Sequence, residues 1–175
     1  MNKFFIQILT LIIGLIISLG SQSEEPNYQT NPPPMALKYF IALEGEWIGI
    51  HIDHEGNEGK VDLVYRTVAG GTAVEERIFA NTEKEMVTMY HGDKDGLLMT
   101  HYCMLGNQPR LQLKNTHENT FKFVYLDGTG IDRGTTGHMG GMEMKILDEN
   151  TFEQAWAYYE NGNKLNTTKF TFTRK

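Results

Sequence analysis

The chain has 175 residues, the length of one domain, and a net charge of −6 from 16 Lys and Arg against 22 Asp and Glu. It contains no basic run, which argues against nucleic acid and anionic membrane surfaces as partners. Its single cysteine, Cys103, excludes an internal disulfide, so a hydrophobic core must hold the fold unaided.

Residues 1–23 read as a signal peptide. Lys3 supplies a positive start, Phe4 to Leu19 an apolar stretch, and Ser18-Leu19-Gly20 a small-x-small cleavage site. The apolar stretch is short of the roughly 20 residues that cross a bilayer, so cleavage is expected, with an exported, periplasmic or secreted product and no stable membrane insertion; the alternative reading is an uncleaved anchor. Residues 24–34, ending in Asn31-Pro32-Pro33-Pro34, read as a Pro-rich linker. Residues 35–175 form the domain. It opens on a helix over Met35 to Leu43, where Leu37, Phe40, Ile41 and Glu44 follow helical spacing. A helix that short needs a docking surface to persist.

From Glu46 onward the chain reads as about ten short strands, each ended by a turn signal. The fold class expected is all-β: a single closed up-and-down antiparallel barrel, because closing a long meander removes both exposed edges. Registers follow from the turns. Gly70-Gly71 pairs Tyr65 with Glu76 and Leu63 with Ile78. A three-residue turn at Asp93-Lys94-Asp95-Gly96 pairs His91 with Met99, Met89 with His101 and Val87 with Cys103. A similar loop at Asn161-Gly162-Asn163 pairs Phe152 with Phe172 and Trp156 with Thr168. The stretch Asp127 to Gly137, with four glycines, is a candidate portal flap or an idle hairpin tip.

Leu43-Glu44-Gly45-Glu46-Trp47-Ile48-Gly49, between the helix and the first strand, resembles the Gly-x-Trp opening of the calycin superfamily, which includes lipocalins, fatty-acid-binding proteins and nitrobindin-like haem barrels. His101 to Arg110 (HYCMLGNQPR) resembles a motif of uncharacterised bacterial lipocalin-like proteins. The resemblance implies a barrel with Trp47 plugging its closed base. Two features depart from it: the lipocalin disulfide is missing, and no histidine lies near the C-terminus to match the haem ligand of the nitrobindin-like branch, the last being His138.

Candidate chemistry is sparse. No serine follows Ser23, which excludes a Ser-His-Asp hydrolase within the domain. Cys103 reads as a structural, buried cysteine. His91, His101, Cys103, Met89 and Met99 share a face in the expected register, so haem remains an alternative although no cofactor is expected and no metal-ligand spacing is present. His138 could gate access beside the Gly-rich loop; His51, His54 and His117 read as exposed. Glu76 shares a face with Leu63, Tyr65 and Ile78, and is either a buried carboxylate or, with a slipped register, an outward one.

The expected function is binding of a small apolar or amphipathic ligand inside the barrel, with Trp47, Tyr65, Met89, Met142 and Trp156 as apolar wall and Glu76 and His101 as orienting groups. Two alternatives stand beside it. One is an isomerase or lyase using Glu76 or His101 as base. The other is a solidly packed envelope interaction module, with a homodimer as one form, because Ile48, Ile50 and Ile52 point outward if Trp47 points inward.

Overall fold

A computed structural model describes residues 34–94 and 96–175. The expected signal segment and residues 24–33 of the linker lie outside the described residues. The described residues form one short α-helix, α1 (Leu37–Ile41), and ten strands: β1 (Gly45–Ile52), β2 (Glu58–Val68), β3 (Ala73–Ile78), β4 (Met86–Asp93), β5 (Gly96–Tyr102), β6 (Gln108–His117), β7 (Thr120–Thr129), β8 (His138–Asp148), β9 (Thr151–Glu160) and β10 (Asn163–Arg174). Each strand pairs antiparallel with its neighbour in sequence, and β1 pairs with β10 from Trp47–Arg174 to Ile52–Lys169, so the sheet closes into a barrel without edges.

Alternation puts one side chain in two inside. In β1, Trp47, Gly49 and His51 face the interior, while Ile48, Ile50 and Ile52 face outward at 44%, 49% and 42% exposure. The helix closes one end: Leu37 and Phe40 are buried, and Phe40 stacks on Tyr90 at 4.4 Å and meets Phe121 and Phe123 edge-on. It is shorter than the expected Met35–Leu43. No side chain caps its start, and the carbonyls past its end are taken by other groups: Trp47 Nε1 donates to Leu43 O at 2.8 Å, and the Arg174 guanidinium donates to Ala42 O and Glu44 O. Those contacts accompany the turn at residues 42–43 that replaces the end of the expected helix.

The β2–β3 hairpin has the expected register, with Tyr65 opposite Glu76 and Leu63 opposite Ile78. So does the upper part of β9–β10, where Phe152 faces Phe172 and Trp156 faces Thr168. Its turn differs, however. Asn161 and Gly162 both adopt positive φ, as a two-residue turn requires, and a bulge between Lys164 and Asn166 shifts the pairing back by one.

The β4–β5 hairpin corrects the expectation. Asp93 pairs directly with Gly96, and Asp93 Oδ1 accepts from Lys94 N at 2.7 Å, so the loop holds two residues instead of three. Every pairing slips by one: Thr88 opposes His101, Tyr90 opposes Met99, and Met89 opposes Thr100. Because strand period is two, the slip turns Val87, Met89 and His91 to the outer wall and brings Thr88 and Tyr90 inside. Met89 is therefore not an interior residue.

Candidate functional site

The interior is layered from the helix upward. Trp47, Phe152 and Phe172 form an aromatic floor, with Trp47 edge-on to Phe152 at 4.7 Å and Phe152 stacked on Phe172 at 4.9 Å. Above them sits a polar node. Glu76, at 0% exposure, projects inward from β3 because its β2 partner Tyr65 and the β4 residue Tyr90 share its face. Its Oε2 accepts from Tyr65 Oη, from Tyr90 Oη at 2.8 Å and from Gln154 Nε2 at 2.9 Å. Gln154 Oε1 in turn accepts from Trp156 Nε1 at 3.0 Å. Burial raises the Glu76 pKa above its ordinary value, and the hydrogen bonds from Tyr65, Tyr90, Gln154 and Thr88 partly offset that rise. Glu76 Oε1 has no partner in hydrogen-bond geometry among the described residues. Burial, with the Glu76 charge next in weight, holds both phenols well above their usual pKa, so they stay protonated as donors.

One layer higher, Thr88 Oγ1 and His101 Nδ1 lie 2.9 Å apart, and the His101 ring packs on Trp156 with centroids 4.7 Å apart. His101 is 2% exposed, and burial lowers its pKa to about 4, so it is neutral at ordinary pH. Its Nε2 has no hydrogen-bond partner among the described residues.

His101 and Trp156 form the floor of a cavity of about 230 Å³ at the end of the barrel opposite α1. Ile78, Phe79, Met86, Met139 and Phe170 supply an apolar wall, and His51 and Asp53 stand at the rim. His51, expected to be exposed, faces inward because it keeps step with Trp47 and Gly49 along β1. Gly59, its partner across the ladder, makes room for it: a Cβ there would lie 2.3 Å from His51 Cε1. His51 Nδ1 is a second buried imidazole nitrogen without a partner among the described residues. Two larger depressions, of about 430 and 500 Å³, are bordered largely by outward-facing residues of β7–β10 and β1, such as Lys122, Glu143, Ala157 and Ile50.

Of the residues expected to meet a ligand, His101 and Trp156 line the internal cavity. Tyr65 and Glu76 lie beneath its floor, Trp47 lies at the base, Met142 is buried in the wall packing, and Met89 is outside. His51 was missed, although its two-residue spacing from Trp47 and Gly49 carried the signal. Cys103 is buried, which pushes its thiol pKa up, as suits a structural cysteine. His138 braces the Gly-rich connection: it lies between Tyr125 and Tyr159, and its Nδ1–H donates to Thr136 O at 2.8 Å. Asn107 Nδ2 donates to Gly137 O at 2.8 Å from the opposite side, and Arg110 pairs with Asp127. Among the described residues no three His, Cys, Asp or Glu side chains converge as a metal site.

No protein-family model matches the chain, and no curated protein matches it. Among solved structures, a protein of unknown function from the DUF3598 family of Nostoc punctiforme aligns over 78% of this chain at 10% identity and a TM-score of 0.52. The alignment covers 49% of that protein, so this chain spans about half its length. The S-type phycobiliprotein lyase of Guillardia theta aligns over 80% of this chain and 92% of its own, at 8% identity and a TM-score of 0.40. A de novo designed fluorescence-activating β-barrel aligns over 77% of this chain and 95% of its own, at 12% identity and a TM-score of 0.37. The likeness to the Nostoc protein is one of fold. What the two share is a β-barrel, which in this chain is closed by ten antiparallel strands.

Proposed function

We propose that this barrel binds one small, largely apolar molecule in the cavity opposite α1. The observation that carries this reading is the cavity itself, a hollow of about 230 Å³ walled largely by Ile78, Phe79, Met86, Met139, Trp156 and Phe170. Concave apolar sites with a few placed polar groups are the usual form of small-molecule sites. The size favours a compact guest. A dry apolar cavity of about 150 Å³ takes a benzene ring, and pockets for drug-sized ligands run from about 300 Å³ upward. A one- or two-ring molecule suits this volume, and a tetrapyrrole does not.

Carriage is favoured over general-base chemistry because Glu76 is sealed beneath the floor and does not line the cavity. Residues 1–23 are proposed to direct export, so that the guest is met outside the cytoplasm; N-terminal sequencing of protein recovered from the cell exterior tests this. Native mass spectrometry of the purified protein, with calorimetric titration of a panel of one- and two-ring aromatics, tests the binding reading. No co-purified small molecule and no binding to any member of the panel would end it.

A further inference from the structure

The depression of about 430 Å³ on the outer wall of β7–β9 is a trough because its floor carries almost no side chain. Gly141 of β8 pairs with Val124 on one side and Ala157 on the other, and Ala155 continues the floor along β9. A Cβ added at Gly141 would meet nothing nearer than Phe123 O at 3.6 Å, so the space above it is open. Small residues alone make only a gap. The chemistry comes from the head of the trough and from its border.

Three rings stand in a row at the head. His138 lies between Tyr125, at 4.9 Å, and Tyr159, at 6.2 Å, and the Tyr159 ring folds onto Gly140, where a Cβ would lie 2.4 Å from it. His138 is 2% exposed and lines the trough. A carbonyl sets its tautomer. Thr136 O can only accept, so Nδ1 holds the proton, and in the neutral ring Nε2 is a lone-pair acceptor. Nε2 has no hydrogen-bond partner among the described residues and, unlike His101 Nε2, it keeps contact with solvent. The trough is the depression that this ring borders, so the lone pair is presented there.

The border is cationic. Lys122, Arg133 and Lys164 stand along it, against Glu143 as the one acid. All three cations are exposed, and none forms an ion pair with a described residue. The Arg133 guanidinium lies instead 5.0 Å over the Tyr125 ring. On a chain of net charge −6 this is a local excess of positive charge.

We propose that the trough is a second binding site, separate from the internal cavity, for a planar hydroxylated aromatic anion. The flat floor admits a ring system, and a volume of about 430 Å³ falls in the range of small-molecule pockets. The border cations hold the anionic group, and His138 Nε2 accepts from the hydroxyl.

The test is calorimetric titration of the full-length protein with 6-hydroxy-2-naphthoate at about pH 8, where free imidazole is neutral. The methyl ether of this probe cannot donate to Nε2 and is expected to bind about three- to tenfold more weakly. The carboxamide, which lacks the charge, should lose about tenfold or more, and added salt should weaken the acid but not the amide. Replacing the exposed Lys122, Arg133 and Lys164 together by glutamine should bring the acid down to the level of the amide. Gly141→Val puts a branched side chain over the floor and should abolish binding, with the circular dichroism of an intact barrel. No binding of the naphthoate, equal affinities for it and its methyl ether, or equal binding by the wild type and both variants overturns this inference. So does displacement of the naphthoate by nitrobenzene, which would put it in the internal cavity. Binding in that cavity is read separately, from Trp156 quenching by the uncharged guest, and stands or falls on its own.

Discussion

The Arg174 guanidinium lies 4.2 Å over the Trp47 indole, joining the last strand to the first across the seam that closes the barrel. It also donates to Ala42 O at 3.1 Å, Glu44 O at 2.9 Å and Glu149 O at 3.3 Å. One side chain thus ties the helix exit, the first strand and the β8–β9 turn together. A cation over an aromatic face contributes about 0.5–2 kcal/mol, and each hydrogen bond about 1 kcal/mol.

Arg174→Met keeps the apolar stem and loses the charge and the fork of donors. Its expected cost is about 2–3 kcal/mol, a fall in Tm of roughly 4–10 °C for a domain of this size. Arg174→Lys should recover less than half, because a point charge cannot reach the separate carbonyls as the planar fork does. Thermal unfolding followed by circular dichroism checks both. A lysine variant as stable as the wild type would show that charge alone matters there.

Glu76 and His101 should impress opposite pH dependences on stability. The folded-state pKa of Glu76 lies above the ordinary 4.5, chiefly from burial. The unfolded chain therefore ionises first, and stability on its account is complete below 4.5 and falls as pH rises through the folded value. The folded-state pKa of His101 is about 4 against an ordinary 6.5, again from burial. Its contribution is complete above 6.5 and lost as pH falls toward 4, by at most about 3 kcal/mol. Glu76→Gln removes the first dependence and leaves the second, so its urea-derived unfolding free energy should climb more steeply between pH 4.5 and 6.5 than that of the wild type. Parallel curves would exclude an elevated Glu76 pKa.

The fold was legible where the centre of a turn fixed the register. Gly70-Gly71 placed Tyr65 opposite Glu76, a pairing that the expected two-residue turn and the observed loop over residues 69–72 share, whereas whether that face lay inside or outside stayed open until the structure buried it. Asp93 to Gly96 admitted two lengths, and the shorter loop turned Met89 out and Thr88 in. The hydrogen bond to His101 Nδ1 therefore could not be anticipated, since Thr88 stood on the wrong face of the expected strand. Trp47 and His101 were recognisable as interior residues. Their separation into base plug and cavity floor was not, because alternation tells inside from outside but says nothing of height along the barrel.

Gly59→Ala tests how the cavity mouth is held open. The added Cβ would meet the His51 imidazole at 2.3 Å, well inside van der Waals contact, while the rest of the ladder needs no change. His51 is flanked by Phe79 at 5.6 Å and Phe170 at 5.9 Å, so the ring's free direction is toward the cavity. The variant should fold with a stability change of about 1–3 kcal/mol, the range for overpacking, and bind the one- and two-ring aromatics of the titration panel several-fold more weakly. His51→Ala in the same background removes the obstruction and should restore affinity. If Gly59→Ala alone binds as the wild type does, His51 does not border the entry route.

The two tryptophans separate a guest in the cavity from one elsewhere. Trp156 forms part of the cavity floor, whereas Trp47 lies at the opposite end under Phe152 and Arg174. A non-fluorescent aromatic guest such as nitrobenzene, bound in the cavity, should quench Trp156 and leave Trp47 largely unaffected. In Trp47→Phe the saturable quenching should persist, although the variant is less stable because it empties part of a packed base and removes the bond to Leu43 O. In Trp156→Phe it should disappear while Trp47 emission remains. Loss of Trp156 also frees Gln154 Oε1, a cost of about 1–3 kcal/mol that thermal unfolding registers separately from binding. Saturable quenching that follows Trp47 instead would move the guest to the helix-capped end and refute a site above His101.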